Sequence, residues 1–331
     1  MKTVAKAVAA SSGFVVAGMI GFAAWAWVDR QRAQRELDVH FENGKAYAAR
    51  VLEEIGEVPD ELTESSGLAV SSTQPGVLWS HNDSGDGPNL YAMDPSGRLL
   101  AVIRVANAAA VDWEDMSSGP CPASLLATAP LEGATCLYLA DIGDNDGVRK
   151  ELTVYVVVEP LLATTGGKPP TIEAQAFRYR YPDGPHDSEA FAVSPNGDVT
   201  IVTKGRSGTI DFFGISAASV AAALTSGELL TAEHRGDTGI EPNQRIGRHV
   251  TGAAVSPDGM TLAVRTYYEV FFFGAVHAGP EGSRWRNLGR PCSLGDAEPQ
   301  GEAIDYLDEE TLLLTSERSR GRPGTIHRLQ C

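Results

Sequence analysis

Positive charge is in short supply: 27 Lys and Arg face 43 Asp and Glu, a formal net charge of −16 at pH 7. That deficit disfavours nucleic acid and anionic membrane surfaces as partners, because both are bound through clustered cations. Cysteine is scarce as well. There are four in 331 residues, without Cys-x-x-Cys spacing or a nearby histidine pair, which argues against a structural zinc site. The chain has no Gly-x-Ser-x-Gly elbow, no recognisable Ser-His-Asp order and no Gly-rich loop opening a helix, which disfavours serine-nucleophile and P-loop chemistry. Long amphipathic helices are missing too, and only Ala217 to Leu224 reads as helical.

What the chain has is repetition. A polar or acidic residue leads into a small apolar strand and a turn at Glu64–Ser71, Asp112–Ser117, Asp187–Ser194, His249–Ser256 and Gln300–Asp305. Period-two alternation puts Ser66, Glu114, Glu189, Thr251 and Glu302 on the same side as Glu64, Asp112, Asp187, His249 and Gln300, two residues earlier. All ten are polar, so repeats set around an axis would build two polar tiers in one channel. Short apolar runs follow each copy, separated by turn signals such as Asn196-Gly197 and Asp258-Gly259.

Four antiparallel strands per repeat make a propeller blade. The predicted fold is therefore all-β, a single β-propeller of four-stranded antiparallel blades over residues 46–331. Five repeats are visible and six are possible, because the intervals 113–188 and 188–252 exceed the ~40–50 residues of an ordinary blade. The fifth repeat lacks a fourth strand. One borrowed from Ala48–Ile55 or Glu57–Leu62 would close the ring and remove exposed sheet edges.

Ahead of the repeats, Ala7 to Val28 carries no charge and ends on Trp25 and Trp27, close to the ~20 residues that span a bilayer. Residues 1–28 read as a single-pass anchor or, through Ala24-Trp25-Ala26, as a cleaved signal that would leave the protein secreted. Residues 29–45 read as a charged tether. Arg30, Arg32 and Arg35 against Lys2 and Lys6 would keep the domain in the cytoplasm by the positive-inside tendency, whereas the even cysteine count argues for an oxidising compartment. Pairings Cys121–Cys136 and Cys292–Cys331 suit the repeat layout, so the domain is expected outside the cytoplasm.

Second strands end in polar residues: His81-Asn82-Asp83, Asp141, Lys204, Arg265-Thr266 and Ser316-Glu317. The loops Ser84–Gly87 and Gly143–Gly147 offer hard oxygens on a backbone that glycine lets turn tightly, as calcium requires, without being EF-hands. Glu114, Glu189 and Glu302 would converge in a narrow channel, where like charges repel unless a cation or a raised pKa relieves them. The expected metal ligands are Asp83, Glu114, Asp141, Glu189 and Glu302, with calcium as the cofactor. Expected ligand-binding residues are His81, Lys204, His249 and Arg265, and no catalytic residue is identifiable. A polar plug, with the acids bound to backbone N–H groups or water, is the competing reading.

Ser66-Gly67-Leu68-Ala69, His81-Asn82-Asp83, Leu90-Tyr91-x-x-Asp94, Asp112-Trp113-Glu114-Asp115 and Gly301-Glu302-Ala303-Ile304 resemble the calcium-dependent phytase-like propellers. They are also similar to exported propellers of the SdiA-regulated type. The resemblance covers roughly Leu62 to Leu329, and Ser66 and Thr251 depart from it by replacing acids. It implies five or six blades, an extracytoplasmic home and calcium in an acidic central channel. Two functions stay open: a membrane-anchored module binding a cation, small ligand or protein partner, and a metal-dependent hydrolase of phosphate or other esters whose metal acidifies a bound water.

Overall fold

Apolar residues alternating at period two, broken by Gly, Asp and Asn turns, fold the repeats into five separate sheets. The computed structural model describes residues 46–126, 134–162, 171–279 and 282–331. The chain divides into Met1–Ala46 and Tyr47–Cys331, and all the repeats belong to the second unit. The expected N-terminal span and tether lie outside the described residues, among which no helix is long and apolar enough to cross a membrane.

Blade I comprises Ser65–Val70, Leu78–Asn82, Asn89–Met93 and Leu99–Ala106, in that order from the axis outward. Blade II comprises Trp113–Pro120, Thr135–Asp141, Leu152–Val158 and Gln175–Arg180, and blade III Ser188–Val193, Val199–Thr203, Asp211–Ile215 and Glu233–Asp237. Blade IV is built on Val250–Val255, Thr261–Thr266 and Glu269–Gly279, the last pairing with both Gly282–Asn287 and Cys292–Ser293. Blade V has Gly301–Tyr306, Leu312–Ser316 and Thr325–Gln330, and its fourth strand is Val51–Glu57 from the other end of the unit, antiparallel to Thr325–Gln330. The borrowed strand thus falls where the sequence left a gap.

There are five blades, not six. The long intervals hold excursions that lace one blade to the next. Thr171–Glu173 adds in parallel to Leu99–Ala106 of blade I, and Leu229–Thr231 adds in parallel to Gln175–Arg180 of blade II. Two strands thus follow in quick succession, Leu229–Thr231 given to blade II and Glu233–Asp237 kept by blade III. Helix Ala217–Ser226 also lies in this interval, N-capped by the Ser216 hydroxyl and closed by Gly227 in the left-handed region.

Each inner strand neighbours the next around the ring, and blade V returns to blade I. Apolar side chains fill the wedges between blades: Trp79, Trp113 and Leu139 between I and II; Tyr138, Phe177, Phe191 and Phe213 between II and III; Phe212, Phe271 and Phe273 between III and IV. Ile304 and Leu314 pack between IV and V, and Leu68, Leu78 and Ile326 between V and I. Small residues line the axis because the strands nearly touch: a Cβ on Gly252 would lie 2.7 Å from the Glu302 carbonyl.

Buried polar groups tie the inner strands together. Asp115 of blade II accepts from the backbone N–H of Phe191 in blade III at 2.8 Å and of Ala253 in blade IV at 3.2 Å. Asp305 of blade V accepts from Val70 N–H of blade I at 2.7 Å. Disulfides join Cys121 to Cys136 and Cys292 to Cys331, as expected, and mark an oxidising, extracytoplasmic environment. The second holds the end of the chain to blade IV, beside the parallel pair of Tyr47–Ala48 with Cys292–Ser293.

Candidate functional site

All five inner strands slip register at the same residue, giving bulges at Ser66, Glu114, Glu189, Thr251 and Glu302. These are the five repeated polar positions, and all are buried. A bulge places two residues opposite one, so it breaks the strict alternation assumed from sequence and re-aims the side chain at one end of the channel. A second layer forms just beyond. The backbone N–H groups of Asp83, Gly143, Lys204 and Glu317 donate to the carbonyls of Glu64, Asp112, Asp187 and Gln300, at 2.9 Å for all but the Gly143 bond at 3.2 Å.

At blade II that layer carries a glycine, and the neighbouring acids use the space. A Cβ on Gly143 would meet Glu114 Oε1 and Asp112 Oδ2. Asp83, Asp112 and Glu114 accordingly gather with one carboxylate oxygen each within 4.8 Å of one another. None of the three forms an ion pair among the described residues. Burial pushes Asp112 up to about 6, reinforced by Asp83 and opposed by Arg149. Glu114 rises well above the carboxylate range through burial and Asp83, and less through Asp112 and Glu302, with Lys204 pulling against them.

Blade V extends the acidic side. Gln300 Nε2 donates to Glu302 Oε1 at 2.9 Å and also to Glu317. Burial raises Glu317 to about 7, with Asp83 and Glu64 adding to it, and Glu302 rises well above its usual range by burial and by Glu317. Tyr267 of blade IV feels the same field, its phenol pushed up first by burial and then by Glu302 and Glu317. Asp112, Glu317 and Tyr267 were not among the expected site residues, although Asp112 stood in the repeated lead position.

The other expected residues are distributed as follows. Asp141 pairs with Trp113 in register, the place Asn82 holds in blade I rather than that of Asp83, and is engaged by Arg149 at 2.7 Å. Glu189 is ion-paired with Lys204. His81 is fully buried, edge-on to Trp113 at 5.3 Å with Nδ1 3.0 Å from the Asn82 carbonyl, and burial lowers its pKa. His249 Nδ1 faces the Lys204 carbonyl at 3.3 Å, and burial lowers it too. Arg265 is fully buried, donating to Ala303 O at 2.8 Å and Glu298 Oε2 at 2.6 Å beneath Gly301. The structure gathers Asp83 and Glu114 with Asp112, joins Glu302 to Glu317 through Gln300, and buries Asp141, His81 and Arg265 in the walls.

The two Asp/Asn/Gly loops serve partly to hold themselves. Asp86 accepts from Asn82, Tyr91 and the Gly87 N–H, and Asp144 from the N–H groups of Val148 and Arg149. Neither Asp86 nor Asp144 belongs to the carboxylate cluster.

No family model matches this sequence, and no curated protein does. Among solved structures, the PQQ-bound aldose sugar dehydrogenase from Streptomyces coelicolor is similar at 9% identity and a TM-score of 0.49, over 85% of this chain and 98% of that one. Regucalcin from Agrobacterium tumefaciens, described as a calcium-binding protein, is similar at 14% identity and a TM-score of 0.39, over 83% of this chain and 93% of that one.

Proposed function

We propose that the protein is an extracytoplasmic propeller that binds a divalent cation, calcium, at the acidic mouth of its channel through Asp83, Asp112 and Glu114. The reading rests on one observation: three carboxylates lie within 4.8 Å of one another with no ion-paired base among the described residues. Glu114 is buried and Asp83 and Asp112 are half-buried, so their mutual repulsion is poorly screened and a cation is the natural relief. The donor set is all oxygen, without imidazole or thiolate, which fits calcium rather than zinc. Residues 1–28 anchor the domain or direct its export, and the mouth loops are where a small ligand or protein partner would meet the bound ion.

Binding is favoured over ester hydrolysis of the phytase-like type. The cations that hydrolysis would use against a developing anion, Lys204 and Arg265, are held by Glu189 and Glu298. Calorimetric titration of the full chain with calcium tests the reading. Saturable binding in the wild type and its loss in Asp112→Asn and Glu114→Gln are expected. Undiminished affinity in both variants would remove the site.

A further inference from the structure

Blade III is where the repeated acid meets a base of the same blade. Glu189 takes the bulge position of the inner strand, and Lys204 takes the position just past the second strand, where blades I, II and V carry Asp83, Gly143 and Glu317. The Lys204 backbone is clamped between blades: its N–H donates to Asp187 O at 2.9 Å and its carbonyl accepts from Val250 N–H at 3.2 Å. Its side chain is therefore aimed from a fixed point, and the residue is only 7% exposed. The ammonium pairs with Glu189, whose buried bulge position is the one that Glu114 and Glu302 hold in blades II and V. Thr251 fills the same bulge position in blade IV, 1% exposed, and its hydroxyl has no hydrogen-bond partner among the described residues.

We propose that Lys204 is a resident, tethered cation filling an inner site made by Glu189 with Glu114 and Glu302, and that it confines an exogenous divalent ion to the outer carboxylates Asp83, Asp112 and Glu114. The inference rests on the cation reading of the mouth and adds what sets its stoichiometry. Lys204 supplies one positive charge at the position where blades I and V place the acids Asp83 and Glu317. Removing it leaves several buried like charges without a counter-charge, a state that must recruit a cation or protonate. The unpartnered Thr251 hydroxyl is a neutral oxygen available to such an ion.

Calcium titration calorimetry on the full chain tests this with Lys204→Met, Lys204→Arg and the double variant Lys204→Met/Glu189→Gln. One ion is expected for the wild type and for Lys204→Arg, two for Lys204→Met, and one again for the double variant. A folded Lys204→Met protein that binds one ion, as the wild type does, overturns the inference and leaves the outer site standing. No ion in the wild type and one in Lys204→Met would support the inner site and sink the outer one, and no ion in either protein sinks both. Where Lys204→Met is unfolded in chelator, circular dichroism with excess calcium decides: refolding supports the inference, and a chain unfolded in both conditions overturns it.

Discussion

A Cβ on Gly143 would stand 2.2 Å from Glu114 Oε1. The missing side chain is what lets Glu114 and Asp112 reach into the mouth, so this glycine belongs to the site as much as the acids do. Its φ lies outside the left-handed region, so the reason for glycine here is space and not backbone conformation. Gly143→Ala should push both carboxylates out of the cluster and weaken calcium binding at least tenfold, about 1.4 kcal/mol. Calorimetry checks this, and unchanged affinity would show that the cluster is not the site.

Acid should stabilise the metal-free protein as far as Asp112 is concerned. Its folded-state pKa, about 6, lies above the ordinary 3.8, so the native state holds a proton that the unfolded chain has released. Stability from this group is therefore highest below the ordinary value and falls as pH rises through about 6. In chelator, Asp112→Asn should raise the melting temperature at pH 7.5 more than at pH 4.5. An equal gain at the two pH values would mean that Asp112 ionises as freely in the fold as in the unfolded chain, and a larger gain at the lower pH would contradict the raised value outright.

The ring itself depends on a buried carboxylate away from the mouth. Asp115 is fully buried and accepts three backbone N–H groups, from Met116, Phe191 and Ala253, which belong to blades II, III and IV. Asp115→Ala leaves those donors unsatisfied and should cost about 3–5 kcal/mol, whereas Asp115→Asn, which keeps an acceptor, should cost less. Denaturant unfolding measures both, and equal losses would contradict the role assigned to its oxygens.

Much of this was readable from the chain because the repeat states it five times. The recurring polar position and the borrowed strand follow from equivalences between copies, and both cysteine pairings suit the layout those copies define. The bulges hid the geometry: a period-two pattern predicts alternation straight through Glu114 and Glu302, and only the paired strand reveals the slip. As second-strand ends Asp141 and Asp83 read as equivalent, but the backbone bond of Gly143 to Asp112 shows an extra residue at that corner of blade II. Glu317 and Tyr267 carry no site signal in the sequence because their part depends on neighbours brought in by other blades. The strands that lace blade to blade, such as Thr171–Glu173, carry no repeat signature at all.

Reducing the terminal disulfide should cost more than reducing the internal one. Cys292–Cys331 closes 39 residues and Cys121–Cys136 closes 15. On loop entropy alone these contribute about 4 and about 3 kcal/mol. Cys331→Ser should in addition loosen Thr325–Gln330, the strand that receives Val51–Glu57. Hydrogen exchange on Val51–Glu57 should rise in that variant and stay unchanged in Cys121→Ser, and the reverse pattern would contradict the closure described here.

The most direct measurement is the melting temperature of the full chain after chelation, with and without added calcium, because an ion that binds only the folded state must stabilise it. The acidic mouth predicts a clear calcium-dependent rise, absent in Glu114→Gln. An identical melting temperature in both conditions, from a folded protein carrying no copurified metal, would contradict the cation site and leave the carboxylates as a polar plug.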